Sequence, residues 1–143
     1  MGRQDAVNAI GYNVRVVCGF PGVGKTRARS DKTIDLNLNH VPEEYCIDVI
    51  RSKLGSGKVL MLSTWYFLRR ELRKANIEYA VVYPHPKLKQ QYLDMLEKRG
   101  RNGKNYMNKM RSRWDTMMRG CLDDPTPYHI VLETMDEHLV DFI

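Results

Sequence analysis

Lys25 and Thr26 close the stretch Gly19-Phe20-Pro21-Gly22-Val23-Gly24-Lys25-Thr26, with glycine at its first, fourth and sixth places. So much backbone freedom beside one lysine points to the wrapping of a phosphate. A loop that wraps phosphate turns sharply and aims several backbone N–H groups inward. Glycines reach the torsions this takes and leave no Cβ in the anion's way. The stretch fits G-x-x-x-x-G-K-[ST] in full. With glycine near 7% of residues, chance produces this pattern in fewer than roughly one chain in a hundred. In such a loop the lysine reaches the β- and γ-phosphates of ATP, and the threonine hydroxyl binds Mg²⁺. A helix N-terminus directly after the loop would add free N–H groups and a favourable dipole. That helix must be short, because Asp35 follows Thr26 closely.

The elements that must position this loop alternate between strand and helix. Val14–Cys18 is short and apolar apart from Arg15, as a largely buried strand should be. Thr33–Leu36, Lys58–Ser63, Glu78–Tyr83 and His129–Leu132 read as further strands. Between them, Pro42 to about Lys53, Thr64 to about Ala75 with Thr64 as N-cap, Pro86–Lys98 and Gly103–Leu122 read as helices, and a short helix ends the chain. Tyr106, Met107, Met110, Trp114, Met117, Met118 and Cys121 share one face of the long helix and read as core. The pattern predicts an α/β domain with a mostly parallel five-stranded sheet covered on both faces, the three-layer fold of P-loop nucleoside triphosphate hydrolases. In such sheets, ligands bind at the carboxyl ends of the strands.

The chain has 143 residues, 43% hydrophobic and 28% charged, which suits one domain over 1–143 with a flexible segment at 1–13. No apolar run is long enough for a signal peptide or a membrane span, so a cytoplasmic protein without membrane partners is expected. Cys18, Cys46 and Cys121 are widely spaced and form no Cys-x-x-Cys, and the four histidines show no ligand pattern, so reduced thiols without structural zinc are expected. The net charge of +6 suits either a nucleotide cleft or a nucleic-acid patch.

Further candidates lie near those strand ends. Lys98, Arg99, Arg101 and Lys104 surround Gly100 and Gly103, so residues 98–105 read as a basic, glycine-hinged lid. Arg99 and Arg101 would clamp phosphate, since a guanidinium is planar and always charged. Arg111 is a further candidate along the next helix. Trp65 follows the third strand, where an aromatic ring either stacks on a base or packs in the core. Arg69, Arg70 and Arg73 read as a solvated helix face. Asp35 would orient Mg²⁺ through water; the plainer alternative is a strand-end carboxylate capping a turn.

The phosphate loop, Ile34-Asp35-Leu36-Asn37, LSTWYFLRREL (62–72), VVYPHPKLKQQYLDMLEKRG (81–100), NKMRSRWDTMM (108–118) and IVLET (130–134) together resemble short bacteriophage proteins described as nucleoside monophosphate kinase-like or adenylate kinase-like. The resemblance covers nearly all of the chain after residue 14. It implies a viral nucleotide kinase that transfers the γ-phosphoryl group of Mg²⁺-ATP. It assigns Gly19–Thr26 to ATP, Asp35 to metal or acceptor, and Arg99 to phosphate. The family's Asp-Ser-Asp-Ser is Asp35-Leu36-Asn37-Leu38 here, its Ser-Ser-His strand end is Ser63-Thr64-Trp65, and its first later arginine is Met95. Asn37 can hydrogen-bond an acceptor but cannot take its proton. A phosphate acceptor is already anionic and needs no strong base, which favours a nucleoside monophosphate over an alcohol. Asp35, Asn37, Ser63, Trp65 and Arg111 are thus the candidate acceptor residues.

Two alternatives stay open. One is a kinase acting on polynucleotide ends or modified DNA nucleotides, motivated by the charge and not favoured, since no second domain or aromatic-basic platform is evident. The other is a non-catalytic nucleotide-binding module, motivated by the short chain and by Asn37.

Overall fold

The computed structural model describes residues 14–100 and 103–143; the 1–13 segment and Arg101 lie outside the described residues. Strands β1 (Val16–Gly19), β2 (Thr33–Asp35), β3 (Val59–Ser63), β4 (Ala80–Pro84) and β5 (His129–Leu132) form one sheet in the order β2-β3-β1-β4-β5. Every pairing is parallel, so the expectation of a mostly parallel sheet is met in full. Helices α1 (Glu43–Leu54), α2 (Tyr66–Lys74), α3 (Lys89–Arg99) and α4 (Gly103–Leu122) connect and cover it, with 3-10 turns at Pro86–Leu88 and Leu139–Phe142.

Alternation along the strands decides what each face meets. Val16, Cys18, Leu60 and Leu62 pack with Cys46 and Ile50 of α1 and Leu68 and Leu72 of α2. Val17 and Met61 point the other way, into a core with Leu93 of α3 and Met110, Trp114 and Met118 of α4. The methionine stripe is therefore core, as its spacing predicts. Trp114 meets the edge of Phe20 at 4.8 Å between ring centres, which ties α4 to the segment leaving β1. The register sets Gly19 beside Ser63 and Asp35 beside Met61, so β1, β2 and β3 end on one edge.

Three local expectations change. The turn after Lys25 makes only single-turn contacts, Ala28 N–H to the Gly24 and Lys25 carbonyls and Arg29 N–H to that of Thr26, so no helix of regular length follows the loop. Thr64 does not cap α2: the helix starts at Tyr66 behind Trp65, and the Thr64 hydroxyl sits 3.7 Å from Cys121 Sγ. Arg69 is not a solvated residue but is buried, at 3% exposure. Its partner explains why. Arg69 Nη1 donates to Asp124 Oδ2 at 2.7 Å and to the Gly120 carbonyl at 2.9 Å. Tyr79 donates to Asp124 Oδ1 at 2.6 Å, the Thr126 N–H at 2.9 Å, and Arg73 reaches Oδ2 at 3.2 Å. Arg69 and Asp124 thus pin α2 to the loop between α4 and β5.

Burial alone would raise the Asp124 pKa, but Tyr79, Thr126 and Arg69 together outweigh it and hold the carboxyl below its usual 3.8. The folded state therefore gains from the ionised carboxylate above that pH and loses the gain as pH falls through the lower folded value. Replacing Asp124→Ala leaves a buried guanidinium unpaired and should lower unfolding free energy by about 3–5 kcal/mol in urea titrations at neutral pH. The gap from the parent should stay constant down to about pH 4 and narrow below it.

Candidate functional site

The loop leaves the carboxyl end of β1 and folds back over it. Gly22 and Gly24 take φ of +91° and +98°. A Cβ on Gly22 would lie 2.9 Å from Met95 Cε and 3.1 Å from Tyr92 Cε2, so a side chain there strains the backbone and pushes on both residues of α3. Val23 is buried and its carbonyl accepts the Leu139 N–H at 2.8 Å, fixing the loop to the C-terminal turn. Phe20 serves the core through Trp114, and Pro21 bridges it to Gly22. Among the described residues, the N–H groups of Gly22, Gly24, Lys25 and Thr26 find no protein acceptor. A run of such donors on glycine-rich backbone is a concave anion site.

Lys25 is half-buried. Its Nζ donates to the Gly19 carbonyl at 3.5 Å and to Ser63 Oγ at 3.4 Å, both long for hydrogen bonds. Burial lowers its pKa, while the Asp35 carboxylate opposes the shift. Asp35 ends β2 and accepts from Arg29 Nε at 3.0 Å and Nη2 at 2.9 Å. The Asp35 carboxylate is thus paired with Arg29, and its charge acts on Lys25.

A cavity of about 400 Å³ opens over the loop, lined by Gly22, Gly24, Lys25, Thr26, Arg99 and His138. Arg99 comes from the last turn of α3 and Gly100 follows it at φ +61°; Gly103, at φ +79°, opens α4. The cavity brings the loop residues and Arg99 together. It does not include Arg111, whose guanidinium is held by Glu97 at 2.7 Å in a separate cleft between α3 and α4. Asn37 is exposed and its side chain accepts the Asn39 N–H at 2.8 Å, so it shapes a turn. Ser63 joins the site through Lys25, and Trp65 stands exposed two residues further on. A cavity of similar size, about 420 Å³, lies near Tyr79 and Tyr128 at the amino ends of β4 and β5, away from the edge where parallel sheets bind ligands.

Sequence reasoning missed Arg27 and His138. Arg27 Nη1 sits 2.9 Å from His138 Nε2 and 3.0 Å from Nδ1. Because a guanidinium only donates, the imidazole must offer it a lone pair. Arg27 was findable from its place after Thr26. His138 lies 111 positions away and no local pattern signals it.

Among the described residues, no three His, Cys, Asp or Glu side chains are grouped to hold a metal. A Mg²⁺ here would share its ligands with nucleotide phosphates, as this ion commonly does. The Thr26 hydroxyl, exposed and without a protein partner among the described residues, suits that role. Also among the described residues, no helix is long and apolar enough to cross a membrane. Comparison with family models, with curated proteins and with solved structures finds no match for the chain.

Two measurements test this geometry. Gly22→Ala should destabilise the fold by about 1–3 kcal/mol through strain and overpacking, seen as a lower thermal midpoint. Gly57→Ala, at φ +77° in open space, should show only the backbone part, about 1–2 kcal/mol. Asp35→Asn should lower the Lys25 pKa further, read by NMR titration of the Nζ resonance, because the opposing carboxylate charge is gone.

Proposed function

We propose that the chain is a P-loop nucleotide kinase that transfers the γ-phosphoryl group of Mg²⁺-ATP to a nucleoside or deoxynucleoside monophosphate. The observation that carries this reading is the ammonium of Lys25, held at the carboxyl edge of β1 and β3 inside a loop in which the N–H groups of Gly22, Gly24, Lys25 and Thr26 have no protein acceptor among the described residues. The parallel order β2-β3-β1-β4-β5 supports the fold half of the proposal, since it puts the loop at the central strand. The resemblance to nucleoside monophosphate kinase-like phage proteins supports the choice of acceptor.

The chemistry asked of the protein is modest. Phosphoryl transfer needs in-line positioning and positive charge around the transferring group. An oxygen of the acceptor phosphate attacks the γ-phosphorus while the bond to the β-bridging oxygen breaks and ADP leaves. Backbone N–H groups of Gly22–Thr26 hold the phosphates. Lys25 moves from its long contacts with Gly19 and Ser63 to the anionic oxygens, which bind it more strongly. Arg99 contacts Met95 Sδ at 3.8 Å and has no acidic partner among the described residues, so it is available for the developing charge. Thr26, with Asp35 through water, would hold Mg²⁺, which supplies charge neutralisation on the β- and γ-oxygens. No residue has to remove a proton, so Asn37 in place of an aspartate is tolerable.

ATP consumption against all ribo- and deoxyribonucleoside monophosphates, with products separated by chromatography, tests the proposal. A diphosphate product from one or two acceptors is expected, with kcat reduced at least about 100-fold in Lys25→Ala. Turnover unchanged in Lys25→Ala would overturn the mechanism. ATP binding without any product would move the reading to a non-catalytic nucleotide-binding module.

A further inference from the structure

Among the described residues, the exposed large apolar side chains include three aromatics: Tyr45 at 55%, Trp65 at 42% and Tyr66 at 61%. Trp65 and Tyr66 are consecutive, and they leave β3 directly after Ser63 and Thr64, next to the serine that meets Lys25. Two neighbouring aromatic rings in water are costly unless something covers them. Among the described residues nothing buries them. α2 instead adds positive charge: the Arg70 guanidinium lies 6.0 Å from the Tyr66 ring centre and 5.8 Å from that of Phe67, and Arg69 lies 5.8 Å from Tyr66. Tyr66–Lys74 exposes Arg70 and Lys74, which share Glu71 at 3.5 Å each, while Arg69 and Arg73 are paired with Asp124.

Aromatic rings with guanidinium planes among them, on a basic helix, form a surface for unpaired bases and their phosphates. A free mononucleotide needs one stacking ring. Two consecutive rings, followed by Arg70 and Lys74 further along the helix, match several nucleotides of a strand. We propose that Trp65, Tyr66 and α2 form a binding surface for single-stranded nucleic acid. Tyr45 falls outside the surface, because Glu43 and Glu44 stand beside it in the first turn of α1 and repel a polyanion.

Fluorescence anisotropy of the full chain with labelled thymidylate and uridylate oligomers of about 12 nucleotides tests this, with thymidine monophosphate as competitor. An oligomer should bind at least about tenfold more tightly than the monophosphate, and log affinity should fall linearly with log salt. Trp65→Ala and Tyr66→Ala should each weaken it about tenfold, Trp65→Phe should restore most of the loss, and Tyr45→Ala should change nothing. Trp114 is buried, so quenching of tryptophan emission on binding reads Trp65. A preference for one oligomer also supports the proposal. Binding retained in Lys25→Ala supports the surface even if no transfer is found. Three results would overturn it: an oligomer no tighter than the monophosphate, a duplex bound equally well, or parental affinity in a folded Trp65→Ala/Tyr66→Ala variant.

Discussion

An ammonium group that is partly out of water must be met by oxygen atoms or lose its proton. At Lys25 the oxygens are the Gly19 carbonyl and Ser63 Oγ, both at the long end of hydrogen bonding. They stand there because β1 and β3 pair in parallel with Gly19 opposite Ser63. That one register sets the lysine's oxygen partners, while burial lowers its pKa. Every other feature of the site takes its position from it. The loop curls over the lysine at Gly22 and Gly24, α3 closes on Gly22, and the C-terminal turn is tied to Val23.

The opposite side of the sheet holds the fold by different means. There α2, the strand before Tyr83 and the loop after α4 converge on the Asp124 carboxylate, which is satisfied on both oxygens. Arg69 belongs to this cluster as much as to α2. Its Nε finds no partner, and a Cβ added to Gly120 would sit 3.1 Å from its Nη2. The cluster is thus tightly fitted yet not fully satisfied, as buried ion pairs often are. It fixes the direction of α2 and so the place where Trp65 and Tyr66 emerge.

Much of the fold was legible along the chain. Three of the five strands fall where short apolar runs end in glycine, serine or proline, at Gly19, Ser63 and Pro84, and Gly103–Leu122 is helical over the range its stripe predicts. The misreadings have one cause. Arg69 looks solvated because charged residues on a helix usually are, and only a carboxylate 55 positions away buries it. Arg111 looks available for phosphate until Glu97, on the neighbouring helix, is seen to hold it. Thr64 resembles a cap in isolation, but Cys121 of α4 takes its hydroxyl.

The sequence by itself determined the sharply turning glycine-rich loop, since glycine spacing acts through local torsions, and the alternation of strand and helix, since apolar periodicity acts through local geometry. It also determined the position of Asp35 on the second strand. Only the tertiary structure decided that Lys25 rests on Ser63, that Arg99 and not Arg111 shares its cavity, that His138 meets Arg27, and that Trp65 and Tyr66 face water. Those facts depend on contacts between residues far apart in the chain. Local pattern carries no record of which distant side chain takes a hydrogen bond or covers a ring.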